Sequence, residues 1–201
     1  MIIQEGRTSS QPDHKMEARL EEWLQQFDLW AASADRSDNG WEGYFPHWPE
    51  LIQEAEQVMA GEHQSERGRL LLGRCWALSE EDESCADWAR NHLHESHVQE
   101  AVRLLTDDND PSTRWQAYDV LGNLLILEDG ARASLENGLT DEDAYVRRRA
   151  FLALMRHSEI DAEAYIVQML ADTDIFNQSA ARSAAVQVIL KEPQTATSSK
   201  L

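Results

Sequence analysis

The chain has 201 residues and a mass of 22.9 kDa, the size of one ordinary domain or two very small ones. A hydrophobic content of 42% suffices for a core and excludes a chain that is disordered throughout. Against 18 basic residues stand 37 acidic ones, and the net charge of −19 repels phosphate backbones and anionic membranes at long range. No apolar run approaches the roughly 20 residues that a membrane span needs. Met1–Gln11 shows neither a long apolar stretch nor a cleavage pattern, so no signal peptide is expected. Two cysteines, Cys75 and Cys85, are too few for a disulfide framework and suit a reducing cytoplasm, the expected location. The charge is uneven: residues 1–129 hold 27 acidic and 10 basic side chains, residues 130–201 only 10 and 8.

Apolar residues recur with helical spacing almost everywhere. Pro12 opens a first segment in which Leu20, Trp23, Leu24, Phe27 and Trp30 follow at three- and four-residue steps. Proline fits there because the first turn of a helix has no hydrogen bond for it to lose. A polar loop with glycine spans residues 35–46. Leu51, Ile52, Ala55, Val58 and Met59 then mark a second helix that stops at Gly61, and a third runs from about residue 65 to Leu78. The run Glu80-Glu81-Asp82-Glu83 ends it and places negative charge at the positive N-terminus of the next helix. Residues 84–106 read as one long helix or as two meeting near Glu95-Ser96. No alternating β-branched pattern appears, so the class is all-α.

Self-comparison exposes an internal repeat. Asp110, Arg114, Ala117 and Leu121 align with Asp143, Arg147, Ala150 and Leu154 at an offset of 33. A weaker third copy sets Asp174 and Ala181 at a further offset of 31, with Gln178 where the arginine would stand. The aspartates fall at helix starts, where a carboxylate accepts from exposed backbone N–H groups. Each arginine is placed to pair with that carboxylate or with one in the neighbouring repeat, and the alanines mark faces where helices approach closely. Leu105, Leu139 and Leu170, before each acidic turn, should close the preceding helix onto the core. A more distant copy spans residues 48–78, with Gly68 and Leu72-Gly73 in the places of Ala117 and Leu121-Gly122 at an offset of 49. A lone helix pair of this kind cannot bury its apolar stripe, so neighbours must stack into a solenoid.

Over residues 97–190 the pattern resembles HEAT repeats, in the short form also found in HEAT-like phycobilin lyases and related bacterial proteins. The resemblance implies an α-solenoid of stacked antiparallel helix pairs over residues 48–191. It would be preceded by an N-terminal capping helix and aromatic loop over 1–47 and followed by a disordered tail over 192–201; Met1–Gln11 is expected to be disordered as well. The second helix of each pair would line a concave face. By geometry alone that nominates Trp115, Asp119, Asn123, Arg148, Leu152 and Arg156 as partner-binding residues, with Ser179, Ser183 and Gln187 in the last copy.

Other constellations are weaker. His92, His94 and His97 lack the His-Glu-x-x-His spacing of a zinc helix. The HEAT-like deoxyhypusine hydroxylases hold iron through several His-Glu pairs, and this chain offers only His94-Glu95, so neither a metal nor any other cofactor is expected. Cys75 falls on an apolar face; Cys85 sits at a helix start beside acidic residues that oppose a lowered pKa, and a nucleophilic role is not expected. No catalytic residue is assigned. Arg147-Arg148-Arg149 with Arg156 is the main positive feature, but the net charge weighs against nucleic acid. Of the seven tryptophans, Trp23, Trp30, Trp76 and Trp88 are expected in the core. Trp41, Tyr44, Phe45 and Trp48 form an aromatic loop, read as a lid on the end of the repeats in preference to an exposed binding cluster. The expected function is non-catalytic: an acidic solenoid that binds a protein partner, with a basic partner and an immunity- or antitoxin-like role suggested by composition. The resemblance also admits a HEAT-like bilin lyase of chaperone type and, further off, a HEAT-like DNA glycosylase.

Overall fold

The computed structural model describes residues 11–38, 40–62, 65–157 and 162–191, and the tail 192–201 and residues 1–10, expected to be disordered, lie outside them. Gln11, grouped with that N-terminal stretch, opens a helix. Among the described residues there are ten α-helices, a 3-10 turn and no strand. They are α1 (Gln11–Ala31), the 3-10 turn Trp41–Tyr44, α2 (Trp48–Met59), α3 (Glu66–Leu78), α4 (Ser84–His92), α5 (Ser96–Leu105), α6 (Pro111–Leu121), α7 (Asp129–Gly138), α8 (Ala144–Leu154), α9 (Ala162–Leu170) and α10 (Ile175–Lys191). This is the expected all-α class of stacked helix pairs. Residues 84–106 resolve as two helices, joined at Glu95, whose extended backbone (φ −96°, ψ 119°) forms the N-cap of α5.

The chain divides into two compact units, Met1–Val120 and Leu121–Leu201. In the first, α1 packs on α2 and α3. Leu20, Leu24 and Phe27 from α1 and Leu51, Ala55, Val58 and Met59 from α2 supply its fully or nearly fully buried side chains, joined by Trp76 of α3. Removal of such side chains from water is the main drive for the pairing. Two glycines permit close approach: a Cβ at Gly68 would meet the Glu17 carboxylate, and one at Gly73 would overlap that of Asp108. The buried Gly73 carbonyl accepts from Thr113 Oγ1 (2.7 Å), and Gln116 Nε2 donates to the Trp76 carbonyl (2.8 Å), which ties α6 to α3.

In the second unit α8 packs on α7 and α9, and α10 on α8 and α9. Leu135, Val146, Ala150, Phe151, Leu154 and Met169 are buried within it. Asn177 of α10 donates to the Ala144 carbonyl of α8 (3.0 Å). Asn177 and Thr113 share one repeat position, and each uses a side-chain donor to reach a carbonyl of the preceding second helix. The expected small residues Ala117, Ala150 and Ala181 are all fully buried. Leu105 and Leu139 close their helices onto the core, whereas Leu170 is 40% exposed and does not.

The turn that joins the two helices of each repeat is built the same way three times. Asp108, Asp141 and Asp172 each accept the backbone N–H two residues on, at Asp110, Asp143 and Asp174 (2.8–2.9 Å). That second aspartate then accepts from the first turn of the following helix, at Ser112, at Tyr145 and Val146, and at Asn177. The arginine folds back onto the turn's own carbonyls: Arg114 Nη1 to Asp108 and Asn109 (3.0 Å each), Arg147 Nη1 to Asp141 (2.8 Å) and Glu142 (3.0 Å). Gln178, in the arginine's place, keeps one such bond, to the Asp172 carbonyl (2.8 Å). Arg147 in addition forms a two-pronged pair with Asp172 of the next repeat, Nε to Oδ2 at 2.7 Å and Nη2 to Oδ1 at 2.9 Å. Of the two pairings open from spacing, Arg147 therefore uses the neighbouring repeat. This guanidinium, with help from the Asp174 backbone N–H and Asn177, holds the Asp172 carboxyl well below the usual carboxylate range.

Candidate functional site

In the first unit, the segment after α1 and the end of α3 enclose a polar cleft of about 240 Å³, lined by Arg36, Asp38, Trp41, Glu42, Glu80 and Glu81 among others. Its shape follows from local chemistry. Asp35 Oδ1 accepts the Ser37 N–H (3.0 Å) and folds a tight turn, a bond that also lowers the Asp35 pKa. Gly40 enters the 3-10 turn in the left-handed region (φ +70°), where a side chain would be strained, and its Cα side faces Glu81 at van der Waals distance. Trp41 is then laid flat on Trp30 of α1, with centroids 5.6 Å apart and planes at 15°. Arg36 turns back over that indole, its guanidinium carbon 4.6 Å from the ring centroid, while Nη2 donates to the Ala31 carbonyl at the end of α1 (2.7 Å).

The rest of the aromatic loop anchors this wall. Phe45 and Trp48 are buried, both within 6.4 Å of the Phe27 ring by centroid, and Trp48 Nε1 donates to Asp82 Oδ2 (2.9 Å). Tyr44 alone of the four is largely exposed, at 66%. Trp76 is core, as expected. Trp23, Trp30 and Trp88 are only half-buried; Trp30 and Trp88 stack on Trp41 and His92, and Trp23 packs against His47 at a tilt of 39°. A ring of that size is rarely enclosed fully by one helix pair.

The six residues nominated for the concave face divide between the units. Trp115 and Asp119 lie in the first and are buried, each 6% exposed. Trp115 Nε1 donates to Glu80 Oε1 (3.1 Å), and Asp119 Oδ2 accepts from Arg90 Nη2 (2.9 Å), which also reaches Glu83 Oε2 (2.6 Å). Both side chains serve internal cohesion. In the second unit Asn123, Leu152 and Arg156 are exposed and Arg148 is half-buried. Arg148 stands over two exposed rings that share one repeat position, Tyr145 (4.9 Å) and Phe176 (5.5 Å), and lies 3.6 Å from Asp174 Oδ1. Periodicity alone could not identify these aromatic contacts, because Tyr145 and Phe176 fall outside the apolar stripe.

The histidines are not gathered on one helix. His92 ends α4 and donates Nδ1–H to the Trp88 carbonyl (2.8 Å), His94 lies in the joint, and His97 in α5 lies 3.1 Å from Glu95 Oε2. Among the described residues no group of three or more His, Cys, Asp or Glu side chains is placed to hold a metal ion. Cys75 and Cys85 are free and buried. Burial pushes the Cys75 thiol up, and it pushes Cys85 up to about 12, with Asp82 and Glu56 adding to it against a hydrogen bond to Ser79. Both thiols should therefore resist iodoacetamide at pH 8 in the native protein, on the order of a hundredfold more slowly than in urea, as counted by mass spectrometry.

Comparison with curated proteins yields no match. No described helix is long and apolar enough to cross a membrane. The family model of HEAT repeats matches residues 98–189, the stretch that contains all three Asp-x-Asp turns, two of them with the arginine and one with Gln178 in its place. Over residues 98–189, rather less than half of its length, this chain is similar to HEAT repeats.

Proposed function

We propose that the protein is a non-catalytic binding module that holds a basic protein partner through its acidic first unit. HEAT repeats commonly serve as protein-interaction scaffolds. The observation that carries the reading is the acid-walled cleft at Trp41, in the part of the chain where 27 acidic residues oppose 10 basic ones. Such a field speeds encounter with a positively charged surface and selects against acidic ones. The residues nominated on the second unit, the exposed Asn123, Leu152 and Arg156 and the half-buried Arg148, are proposed as a further contact surface. A nucleic-acid reading would rest on Arg147 and Arg148, and these are engaged with Asp172 and the turn carbonyls, and with Tyr145, Phe176 and Asp174.

The test is affinity capture at ~0.15 M salt, where surface charge still acts over about 8 Å. Wild type should retain basic proteins that a D38N/E42Q/E81Q variant releases. Identical captured sets from the two proteins would refute the assignment.

A further inference from the structure

Arg36 lines the cleft and lays its own guanidinium on the aromatic ring there. Its planar guanidinium lies over the Trp41 indole at 4.6 Å, in a recess whose other charged lining residues are Asp38, Glu42, Glu80 and Glu81. Glu80 accepts from Ser112 Oγ (2.8 Å) and Trp115 Nε1 (3.1 Å), and both Glu80 and Glu81 are exposed. An aromatic face with carboxylates at its edge is the chemistry that recognises a guanidinium: the ring quadrupole attracts the flat cation and the acids take its N–H groups. The indole is braced by Trp30, whose ring runs nearly parallel to it at 5.6 Å.

We infer that this cleft is a guanidinium-binding site for an arginine of the basic partner, and that Arg36 is its built-in competitor. Arg36 is exposed and is carried on the segment between α1 and the 3-10 turn. Among the described residues it donates to the Ala31 carbonyl, at a helix end where water can replace it. Swinging out, it leaves the Trp41 face open to an incoming arginine with the same shape and charge. The helix-capping role and the gating role predict opposite effects of its removal. A cap would loosen the wall and weaken binding; a competitor would, when removed, strengthen it. This inference rests on the proposed basic partner and specifies which side chain of it is read.

The experiment uses the full chain and an octa-arginine peptide as probe, with octa-citrulline as the neutral control of the same shape, at ~0.15 M salt. Binding is followed by the Trp41 indole N–H resonance, assigned with W41F. Octa-arginine should shift that resonance and octa-citrulline should not. R36A should bind octa-arginine about fivefold more tightly, since one competing cation–π contact is gone. R67A removes the same charge elsewhere on the first unit, from a pair with Glu21, and should change affinity less than about twofold. E81Q, at an exposed position, should weaken binding. If R36A binds no more tightly than R67A, or if octa-arginine binds without moving the Trp41 resonance, the site is wrong while the basic-partner reading stands. If octa-arginine does not bind at all, the guanidinium site is overturned, and the capture experiment judges the broader reading separately.

Discussion

Replacing Arg147 with alanine is expected to destabilise the protein by about 3 kcal/mol at pH 7, because it leaves the Asp172 carboxylate shielded from water with its main partner removed. The side chain of Asp172 is 7% exposed and that of Arg147 15%, so solvent screens this pair far less than a surface one. The same change frees the carbonyls of Asp141 and Glu142. R147Q separates the two losses. At the equivalent place Gln178 bonds the turn carbonyl of Asp172 with no ion pair, so R147Q should retain the turn and lose only the pairing, about 2 kcal/mol. The pH dependence has a definite sign. The folded Asp172 carboxyl titrates well below its unfolded value of about 3.9. The unfolded chain therefore takes up the proton first as pH falls, and the stabilisation is present in full above about pH 5 and is lost below about pH 4. Urea denaturation of wild type and R147A should give midpoints that converge as pH is lowered from 7 to 3. Midpoints that stay equally far apart would mean that Arg147 acts mainly through the carbonyls.

G122A is expected to cost a further 2–3 kcal/mol on the scale of overpacked cores, about as much as losing a buried contact altogether. A Cβ built on Gly122 would lie 2.6 Å from the Ala153 Cβ and 2.8 Å from its Cα. The second of these is backbone, so the helix itself must shift. A153G in the same chain removes the Cβ–Cβ overlap and leaves the one with Cα, so the double variant should recover about 1 kcal/mol relative to additivity. Gly43 has nothing within 4 Å of a built Cβ, and G43A should change stability by less than about 0.5 kcal/mol. Denaturant midpoints for wild type, G122A, A153G, the double variant and G43A decide it; equal effects at Gly122 and Gly43 would show that the first is not a packing constraint.

Much of the fold was legible from residue spacing. The recurrence of Asp110, Arg114 and Ala117 at Asp143, Arg147 and Ala150 located the second helix of each pair and its N-cap, since capping and close packing are local demands met by few residue types. The partner of Arg147 was not legible, because both candidate carboxylates satisfy the same spacing and only the stacked position of the next repeat selects Asp172. Asp108, Asp141 and Asp172 went unnoticed although they recur as regularly; the signal was there, as the first member of an Asp-x-Asp pair.

The candidate site divides the same way. That Trp41, Phe45 and Trp48 form one cluster could be anticipated from their proximity in sequence. That Arg36 comes to rest over Trp41 could not, nor that Glu81 forms the opposite wall from forty residues away in the chain. Likewise helical periodicity assigned Trp115 and Asp119 to an open face, and the neighbours that bury them, Glu80 and Arg90, come from other helices. Taken alone, the sequence determined the helices, their caps, the repeat and the sign of the charge, all of which depend on residues a turn or two apart. Tertiary structure decided which carboxylate each arginine meets and which aromatic faces stay open. Those outcomes depend on how helices distant in the chain are brought side by side, and no local spacing encodes that distance.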